Sequence, residues 1–415
     1  MLPKTTWIPA PAGGWNQSDF SIYNLPFGIF QTPNTPKRVG VAIGDRVLDM
    51  PVLAALGAFE GIDFDKNVFQ KEFLNDFMAT GKAARLAVRA VLQQILEDPC
   101  TPFREKAPDF LIAQKEVSLS MPVRVGDYTD FYSSEQHAFN VGAMFRDPAK
   151  ALLPNWKHLP VGYHGRSSSI FVSDTPFHRP KGQTCPDESQ PPIFGPTKRL
   201  DIELEVATIM ATGNALGDTI SVDEAEEHVF GFVLFNDWSA RDIQKWEYVP
   251  LGPFLAKNFF SAISPWVVTV EALEPFRVPV SPQVPEVLPY LKGKNLQNFD
   301  VKLEVLLNGY HISTSNFKYL YWTVAQQIAH HTVNGCNLQT GDMLASGTIS
   351  GPTPDSYGSL LELTWGGKNP LTLPDGSQRT FVEDGDTITL KGYAERNGIR
   401  VGFGEVTTTV LPAKI

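Results

Sequence analysis

The sequence predicts a mostly β (α+β) protein with two domains. At 415 residues the chain is longer than one typical domain. Short strand-like runs bounded by glycine and proline recur along most of it, whereas a helical spacing of apolar residues is confined to a few segments. These observations predict a small β-rich domain with helices at residues 1–120, followed by a larger β domain, a folded sheet or roll, at residues 121–415.

The N-terminal domain is predicted from two changes of pattern. Between residues 19 and 50, two apolar runs flank Gly44 and Asp45, which indicates a β-hairpin with a two-residue turn. Between residues 71 and 97, apolar side chains recur at helical spacing, and Gly81 is the expected break between two helices. Residues 1–110 show no concentration of ionisable side chains, so we expect no catalytic role there. The boundary is expected at residues 99–108, with a further break at Pro122.

The larger domain is predicted to consist mainly of short strands. Segments of strand-like composition lie at residues 169–173, 200–207, 229–235, 266–270, 301–307, 343–345, 360–364, 387–390 and 401–405. The main helix expected among them covers residues 322–333. It would end before Asn334 and Gly335, a pair that is common after a helix C-terminus.

Composition and charge exclude several classes of protein. The formal net charge is -10 and lysine and arginine form no run, which argues against a nucleic-acid or anionic-membrane partner. The three cysteines are widely spaced and form neither a disulfide framework nor a zinc motif, which favours a reducing compartment. The first residues lack a signal-peptide pattern, and no stretch of about 18 apolar residues occurs. We therefore expect a cytoplasmic protein.

Residues 126–146 have the composition of a buried polar site. The stretch contains two aspartates, two tyrosines, a glutamate, a histidine and an arginine among aromatic residues. Its histidine, His137, is a candidate general base, although a single histidine is more often a structural residue. The remaining chain would have to bring further carboxylates and cations to this stretch.

A second group of acidic residues indicates a metal site. Glu203 and Glu205 alternate with apolar residues and share one face of a predicted strand with Asp201. On an exposed strand, solvent would screen the repulsion between the two glutamates. On a covered strand, a cation would be needed to keep the carboxylates ionised. The next predicted strand is apolar and ends at Asp237. Together with Asp130, these glutamates and Asp237 would offer four oxygen donors, which suit Ca²⁺ or Mg²⁺ rather than Zn²⁺.

Cationic and amide side chains follow directly after Asp237. Arg241, Gln244 and Tyr248 are spaced by three and four residues, so they would lie on one side of a short helix. With Lys257 they could stabilise an oxyanion, or they could be solvated groups of a surface turn.

Two later segments offer further candidates. The glycine-rich segment 345–351 is typical of a ligand loop and contains the Thr348 hydroxyl. Glu362 lies between apolar residues of the predicted strand 360–364. It would either face solvent or orient a histidine.

Several long motifs occur in order along the chain. They are GDYTDFYSSEQH at 126–137, LLPNW at 152–156, LPVGYHGR at 159–166, DIELE at 201–205, NDWSARDIQ at 236–244, WEYVPLGPFL at 246–255 and LASGTISG at 344–351. Together they resemble the fumarylacetoacetate hydrolase family over residues 24–413. The resemblance implies a small SH3-like N-terminal domain, a larger domain with the mixed β-sandwich roll of that family, a cytosolic homodimer and a divalent metal.

The resemblance also implies roles for individual residues. Asp130, Glu203, Glu205 and Asp237 would bind Ca²⁺, and Asp237, the Lys257 backbone and Ser261 would form a neighbouring Mg²⁺ site. Substrate contacts would come from Tyr132, Arg146, Tyr163, Gln244, Tyr248 and Thr348. The family has threonine where this chain has Ser261, and serine keeps the hydroxyl oxygen.

The reaction implied by the resemblance is metal-dependent hydrolysis of the carbon-carbon bond of 4-fumarylacetoacetate to fumarate and acetoacetate, the last step of tyrosine and phenylalanine catabolism. His137, oriented by Glu362, would deprotonate water, since imidazole titrates near neutral pH. Arg241, Gln244 and Lys257 would stabilise the oxyanion and the enolate. One alternative is a related acylpyruvate hydrolase or oxo-acid decarboxylase. Another is a non-catalytic binding protein, against which the candidate base argues because binding alone needs no base.

Overall fold

The computed structural model describes residues 4–414, and its N-terminal part is a small antiparallel β domain. The strands are β1 (Phe27–Gln31), β2 (Arg38–Ile43), β3 (Arg46–Asp49), β4 (Leu111–Ala113) and β5 (Ser118–Ser120). Strands β2 and β3 form the predicted hairpin, with Ala42 opposite Val47. Gly44 has a φ of 58°, which a two-residue hairpin turn requires. The hairpin prediction is therefore confirmed.

Helices cover this small sheet. They are α1 (Met50–Ala55), α2 (Asn75–Met78), α3 (Lys82–Glu97) and α4 (Ala107–Phe110). Gly81, with a φ of 93°, separates α2 from α3, as the periodicity predicted. The buried face of α3 carries Val88, Leu92 and Leu96, which share a core with β1 and β2. Residues 1–3, which begin the segment examined for a signal peptide, lie outside the described residues.

The larger domain contains most of the strands. They are β6 (Tyr128–Phe131), β7 (Gly162–His164), β8 (Ile170–Val172), β9 (Phe177–His178), β10 (Lys181–Thr184), β11 (Ile193–Pro196), β12 (Leu200–Asp201), β13 (Leu204–Met210), β14 (Val229–Asp237), β15 (Ser239–Ala240), β16 (Ser261–Ile263), β17 (Trp266–Thr269), β18 (Arg277–Pro279), β19 (Gln297–Phe299), β20 (Lys302–Leu307), β21 (Tyr310–Asn316), β22 (Met343–Ala345), β23 (Leu371–Thr372), β24 (Gln378–Arg379), β25 (Thr387–Arg396) and β26 (Ile399–Leu411). Strands therefore dominate this domain, as the sequence predicted.

Helices are short in the larger domain. The α-helices are α5 (Glu135–Phe145), α6 (Arg241–Glu247), α7 (Val270–Leu273), α8 (Val324–Thr332) and α9 (Leu360–Leu363). Single 3-10 turns occur along the whole chain, at Trp15–Gln17, Lys66–Gln70, Gln114–Glu116, Pro148–Lys150, Ser167–Ser169, Ala225–His228, Glu274–Phe276, Pro289–Leu291, Phe317–Tyr319 and Pro354–Ser356. Within residues 4–414, none of the helices has both the length and the apolar character needed to span a bilayer.

One large sheet runs through both domains. Its strand order is β4-β3-β2-β1-β17-β14-β13-β22-β6-β7, with β5 beside β1, β16 beside β14 and β8 beside β16. Strand β1 pairs with β17, where Phe27 lies opposite Val267, so the N-terminal strands extend the sheet of the larger domain. The strands β14, β13, β22 and β6 lie side by side in the middle of this sheet.

A second sheet packs on the first. Its order is β21-β20-β25-β26-β9. Leu303 and Leu390 of this sheet share a buried core with Phe232 and Leu234 of β14. In β20 buried and half-buried residues alternate, as expected for a strand with one face on a core. The result is the mixed β-sandwich roll expected for the larger domain.

Helix α8 confirms the helix predicted at residues 322–333, with ends that differ by one or two residues. Thr323 and Gln326 form a capping box at its N-terminus. Gly335 follows its C-terminus with a φ of 88°.

Two strand predictions were wrong in part. Residues 360–363 of the predicted strand 360–364 instead form helix α9. Ser359 caps the backbone N–H of Glu362 at 3.3 Å, and the buried Asp201 carboxylate accepts the N–H groups of Leu360 and Leu361. The predicted strand 200–207 is interrupted between β12 and β13. There Asn236 accepts the N–H of Glu203 at 3.2 Å, so a side chain replaces a strand partner.

Candidate active site

Four buried carboxylates converge at the centre of the large sheet. One oxygen from each of Asp130, Glu203, Glu205 and Asp237 lies within 4.8 Å of the others. Strand pairing explains the convergence: β13 runs beside β14, which ends at Asp237, and β22 links β13 to β6, with Ala345 opposite Asp130. Glu205, in β13, and Glu203, directly before β13, are thus both buried and not exposed to solvent. We call these four residues the acidic cluster.

The electrostatics of the acidic cluster favour the binding of a cation. Burial, and then the neighbouring carboxylates, raise the pKa of Asp130 and of Glu205 well above the usual values. Burial also raises the pKa of Asp237, although Lys257 opposes it. Asp130 Oδ1 and Glu205 Oε1 are buried and accept no hydrogen bond from any residue that the structure describes. Oxygen donors left without partners in this way fit a hard divalent ion.

Glu203 differs from the rest of the cluster because two cations contact it. Its Oε2 lies 2.7 Å from Lys257 Nζ, and its Oε1 lies 2.7 Å from Arg241 Nη1. Burial would raise the pKa of Glu203, but Lys257 and Arg241 outweigh burial and lower it well below the usual value. Glu203 is therefore ionised at all physiological pH values.

The residues of the expected Mg²⁺ site also lie together. Lys257 Nζ is 2.7 Å from Asp237 Oδ2, and the Ser261 hydroxyl donates to Asp237 Oδ1 at 3.1 Å. Strands β14 and β16 produce this contact, since Asp237 lies opposite Ser261 in their pairing. The Lys257 ammonium is thus a direct partner of Asp237 and of Glu203.

A histidine-glutamate pair lies beside the acidic cluster. His137, in α5, places Nδ1 2.7 Å from Glu362 Oε2, in α9. Asn140 donates to the other Glu362 oxygen at 2.9 Å, and the hydroxyls of Ser350 and Ser359 each donate to Oε2 at 2.8 Å. Burial would raise the pKa of Glu362, but His137 and these donors lower it. The charged carboxylate can only accept, so Nδ1 carries the proton and Nε2 is left as the basic nitrogen.

A cavity of about 1000 Å³ opens above these groups. The predicted site residues on its wall are Asp130, Tyr132, His137, Arg146, Tyr163, Glu203, Arg241, Gln244, Tyr248, Lys257 and Thr348. Glu205, Asp237, Ser261 and Glu362 are buried beneath this wall. The fold therefore brings together all the residues that the sequence singled out for the site.

Several residues that line the cavity carry a buried polar atom without a hydrogen-bond partner among the described residues. Arg241 Nη2 and Thr348 Oγ1 have no hydrogen-bond partner within residues 4–414. The other nitrogens of Arg241 are occupied, because Nε donates to Asp201 at 2.8 Å and Nη1 contacts Glu203 and Gln244. Burial raises the pKa of Tyr132, which contacts the His137 ring edge-on, so its hydroxyl stays protonated.

The outer wall of the cavity comes from less buried segments. Arg146 and Tyr248 are exposed and lie at the rim. The hairpin β10–β11 forms another part of the wall, and its Phe194 is 72% exposed. The proline-rich stretch 179–196 contains this hairpin.

The sequence alone identified His137 as a partner of Glu362, but not Asn140, Ser350 or Ser359. Asn140 lies three residues after His137 on the same helix, so a helix prediction for 135–145 would have placed both on one face. Ser134 caps α5 and was the available signal for that helix. Ser350 lies in the glycine-rich segment that was singled out for Thr348 alone.

Comparison with known proteins identifies relatives along nearly the whole chain. A family model described as "Fumarylacetoacetate (FAA) hydrolase C-terminal" matches residues 128–411, and one described as "Fumarylacetoacetase N-terminal" matches residues 23–122. The chain is 52% identical over 406 residues to the fumarylacetoacetase of Homo sapiens, covering 95% of this chain and 97% of that protein. It is 49% identical over 411 residues to the fumarylacetoacetase of Arabidopsis thaliana, covering 96% and 97%.

Solved structures agree in fold at much lower identity. A fumarylacetoacetate hydrolase from Exiguobacterium antarcticum superposes with a TM-score of 0.53 at 18% identity, covering 94% of this chain and 100% of that chain. A maleylpyruvate hydrolase from Sphingobium gives a TM-score of 0.51 at 16% identity, with the same coverage. These likenesses concern the fold alone.

Proposed function

Because the chain belongs to the fumarylacetoacetate hydrolase family, we propose that it hydrolyses the carbon-carbon bond of 4-fumarylacetoacetate to fumarate and acetoacetate. The observation that carries this proposal is the placement of a histidine-glutamate pair beside a buried acidic cluster in one cavity. Hydrolysis of a β-diketone needs both a base for water and stabilisation of two negative charges, one on the attacked carbonyl and one on the leaving carbanion. A binding protein needs neither.

Two divalent-ion sites are proposed. The four carboxylates of the acidic cluster would hold Ca²⁺, and the neighbouring group of Asp237, Lys257 and Ser261 would hold Mg²⁺. The unpartnered oxygens and raised pKa values of the acidic cluster support this proposal. When bound, the ion supplies Lewis acidity towards the oxygens of the diketone. Lys257 and Arg241 hold Glu203 ionised and in place, so it is ready to bind the ion at any pH of interest.

His137 is proposed to be the general base. Its Nδ1–H is fixed by Glu362, so Nε2 takes the proton from a water molecule as the water oxygen bonds to the attacked carbonyl carbon. The buried carboxylate of Glu362 stabilises the imidazolium that forms. As the tetrahedral adduct collapses, the carbon-carbon bond breaks, its electron pair leaves as the enolate of acetoacetate, and the imidazolium returns its proton to the enolate carbon. Asn140, Ser350 and Ser359 keep the Glu362 carboxylate in one orientation.

The developing negative charges are proposed to be stabilised by Arg241, Gln244 and Lys257. The free Nη2 of Arg241 is the best-placed donor for an oxyanion, because the other nitrogens already fix the plane of the guanidinium. Substrate positioning is assigned to Tyr132, Arg146, Tyr163, Gln244, Tyr248 and Thr348, all of which line the cavity.

In the cell, we propose a role in the last step of tyrosine and phenylalanine catabolism, in the cytoplasm and without a nucleic-acid partner. A homodimer is supported by the segment after α6, where Val249, Leu251 and Phe254 are 76%, 95% and 67% exposed. Large exposed apolar side chains of this kind mark interaction surfaces. The domain division at residue 120 stays a prediction.

A turnover assay tests the proposed function. The purified protein is expected to consume 4-fumarylacetoacetate, followed as a loss of ultraviolet absorbance, and His137→Ala is expected to lower kcat far more than it raises KM. Faster turnover of acylpyruvates would instead favour an acylpyruvate hydrolase, and release of carbon dioxide from an oxo-acid would favour a decarboxylase. Ligand binding without turnover of any of these compounds would favour a binding protein.

A further inference from the structure

One fully buried carboxylate at the site has no role in the chemistry described above. Asp201, at the end of β12, is 0% exposed, and both of its oxygens are occupied. Oδ2 accepts from Arg241 Nε at 2.8 Å and from the backbone N–H of Leu361 at 3.0 Å. Oδ1 accepts from the backbone N–H groups of Leu360 and Ile202, both at 2.8 Å. Asp201 therefore has no oxygen left for a metal ion, although it is two residues from Glu203.

These contacts join the two halves of the proposed machinery. Through Arg241, a residue that lines the cavity, Asp201 fixes a guanidinium whose buried Nη2 has no hydrogen-bond partner among the described residues. Through Leu360 and Leu361, it holds the first turn of α9, which carries Glu362. We propose that Asp201 is a positioning residue: it holds Arg241, the proposed oxyanion-binding group, and Glu362, which orients His137, in fixed positions relative to each other. This inference rests on the proposed function.

In each half, Asp201 binds donor groups that the other contacts leave free. Helix α9 has only four residues, and a helix this short does not form unless its ends are held by other groups. Its free N–H groups are satisfied by Asp201 and by the Ser359 cap. On the other side, loss of the Asp201 contact would leave Arg241 held by Glu203 and Gln244 through Nη1 alone, so the guanidinium could rotate.

Asp201→Asn tests the proposal. An amide of the same size has one acceptor oxygen, so its NH₂ group must face donors in either orientation. With the oxygen at the Oδ2 position, the NH₂ group faces the N–H groups of Leu360 and Ile202; with the oxygen at the Oδ1 position, it faces Arg241 Nε and the Leu361 N–H. Misplacing a catalytic group by about 1 Å costs roughly 10²-fold in rate. We therefore expect kcat on 4-fumarylacetoacetate to fall about 100-fold, with KM changed less than about threefold and Ca²⁺ binding, measured by calorimetry, unchanged.

Asp49→Asn is the matched control. Asp49 is also buried, also pairs with an arginine, Arg38, at 2.7 Å, and also caps a helix, through Val52 N–H at 3.4 Å in α1. It lies in the N-terminal domain. We expect a similar loss of thermal stability in both variants, but full activity in Asp49→Asn. Equal activity in the two variants would overturn the positioning role.

A spectroscopic measurement separates this proposal from the proposed function. The proton between His137 Nδ1 and Glu362 should give a low-field proton resonance, assigned by its absence in His137→Gln. If Asp201 positions α9, this resonance is shifted or lost in Asp201→Asn and kept in Asp49→Asn, whatever the substrate is. If the resonance is unchanged in Asp201→Asn, the positioning role is overturned, even if the unsubstituted protein consumes 4-fumarylacetoacetate at a normal rate. Failure of the unsubstituted protein to consume 4-fumarylacetoacetate would overturn the proposed function only.

Discussion

Replacing Glu362 by glutamine removes one charge from the site and changes almost nothing else. The carboxylate accepts four hydrogen bonds, from His137, Asn140, Ser350 and Ser359. A glutamine of the same shape can keep its oxygen towards His137 and the two serines. The NH₂ group of the glutamine then faces the Asn140 side-chain NH₂ group, which donates to Glu362 in the unsubstituted protein. The variant therefore keeps the orientation of the imidazole while losing the charge that stabilises the imidazolium.

The size of the loss follows from the 2.7 Å contact between His137 Nδ1 and Glu362 Oε2. With the charge centres about 4 Å apart, the pair interacts by about 4 kcal/mol at an effective dielectric constant of about 20. The neutral hydrogen bond that glutamine keeps contributes about 1 kcal/mol. The difference of about 3 kcal/mol applies only when imidazolium forms, so kcat should fall roughly 10²-fold.

The assay is turnover of 4-fumarylacetoacetate with saturating metal. KM should change less than about threefold, because Glu362 is buried beneath the cavity wall. Asp386→Asn is a suitable control and should retain full activity. Asp386, directly before β25, is a buried carboxylate with a lowered pKa that pairs with Arg379 of β24. A kcat for Glu362→Gln within about threefold of the unsubstituted protein would refute the assignment of His137 and Glu362 as a pair.

The same variant has a predictable dependence of stability on pH. The pKa of Glu362 is lowered from its ordinary value of 4.5, so the carboxylate stabilises the fold above that pH, and the contribution is lost as pH falls through the lowered value. The difference in Tm between the unsubstituted protein and Glu362→Gln should therefore be larger at pH 7 than at pH 4. A difference that grows towards low pH would contradict the charged state assigned to Glu362.

Four further predictions concern the metal and the backbone. Exhaustive treatment with EDTA should abolish turnover and Ca²⁺ or Mg²⁺ should restore it. In the metal-free protein, the raised pKa values of Asp130 and Glu205 make stability fall as pH rises above about 4. Added Ca²⁺ should therefore raise Tm more at pH 8 than at pH 5. An equal gain in Tm at the two pH values would argue against the metal site. Ser261→Thr should keep activity within about twofold, whereas Ser261→Ala, which loses the contact to Asp237, should weaken Mg²⁺ binding measured by titration calorimetry. Gly347→Ala should unfold at lower temperature in calorimetry, because Gly347 has a φ of 75° and a Cβ there would lie 2.1 Å from the Phe131 carbonyl oxygen; an unchanged Tm would contradict this.

Features determined by neighbouring residues were predictable from the sequence. The hairpin at Gly44 and helix α8 with Gly335 after it depend on turn and cap residues within a few positions. The two glutamates of the acidic cluster share a face because side chains alternate along a strand. The roles of these residues in metal binding and catalysis stay predictions until the experiments above are done.

Contacts between distant parts of the chain were decided by the tertiary structure. Asp130 joins the acidic cluster because β6 pairs with β22, more than two hundred residues later in the chain, and no local pattern specifies that pairing. The apolar pattern around Glu362 is that of a strand, yet the segment is helical, since Asp201 accepts the N–H groups at its start. The sequence by itself thus determined the local structure of most elements and indicated the candidate side chains for the chemistry. Only the fold decided how they meet, because hydrogen bonds from remote residues outweigh local preference where both partners are buried.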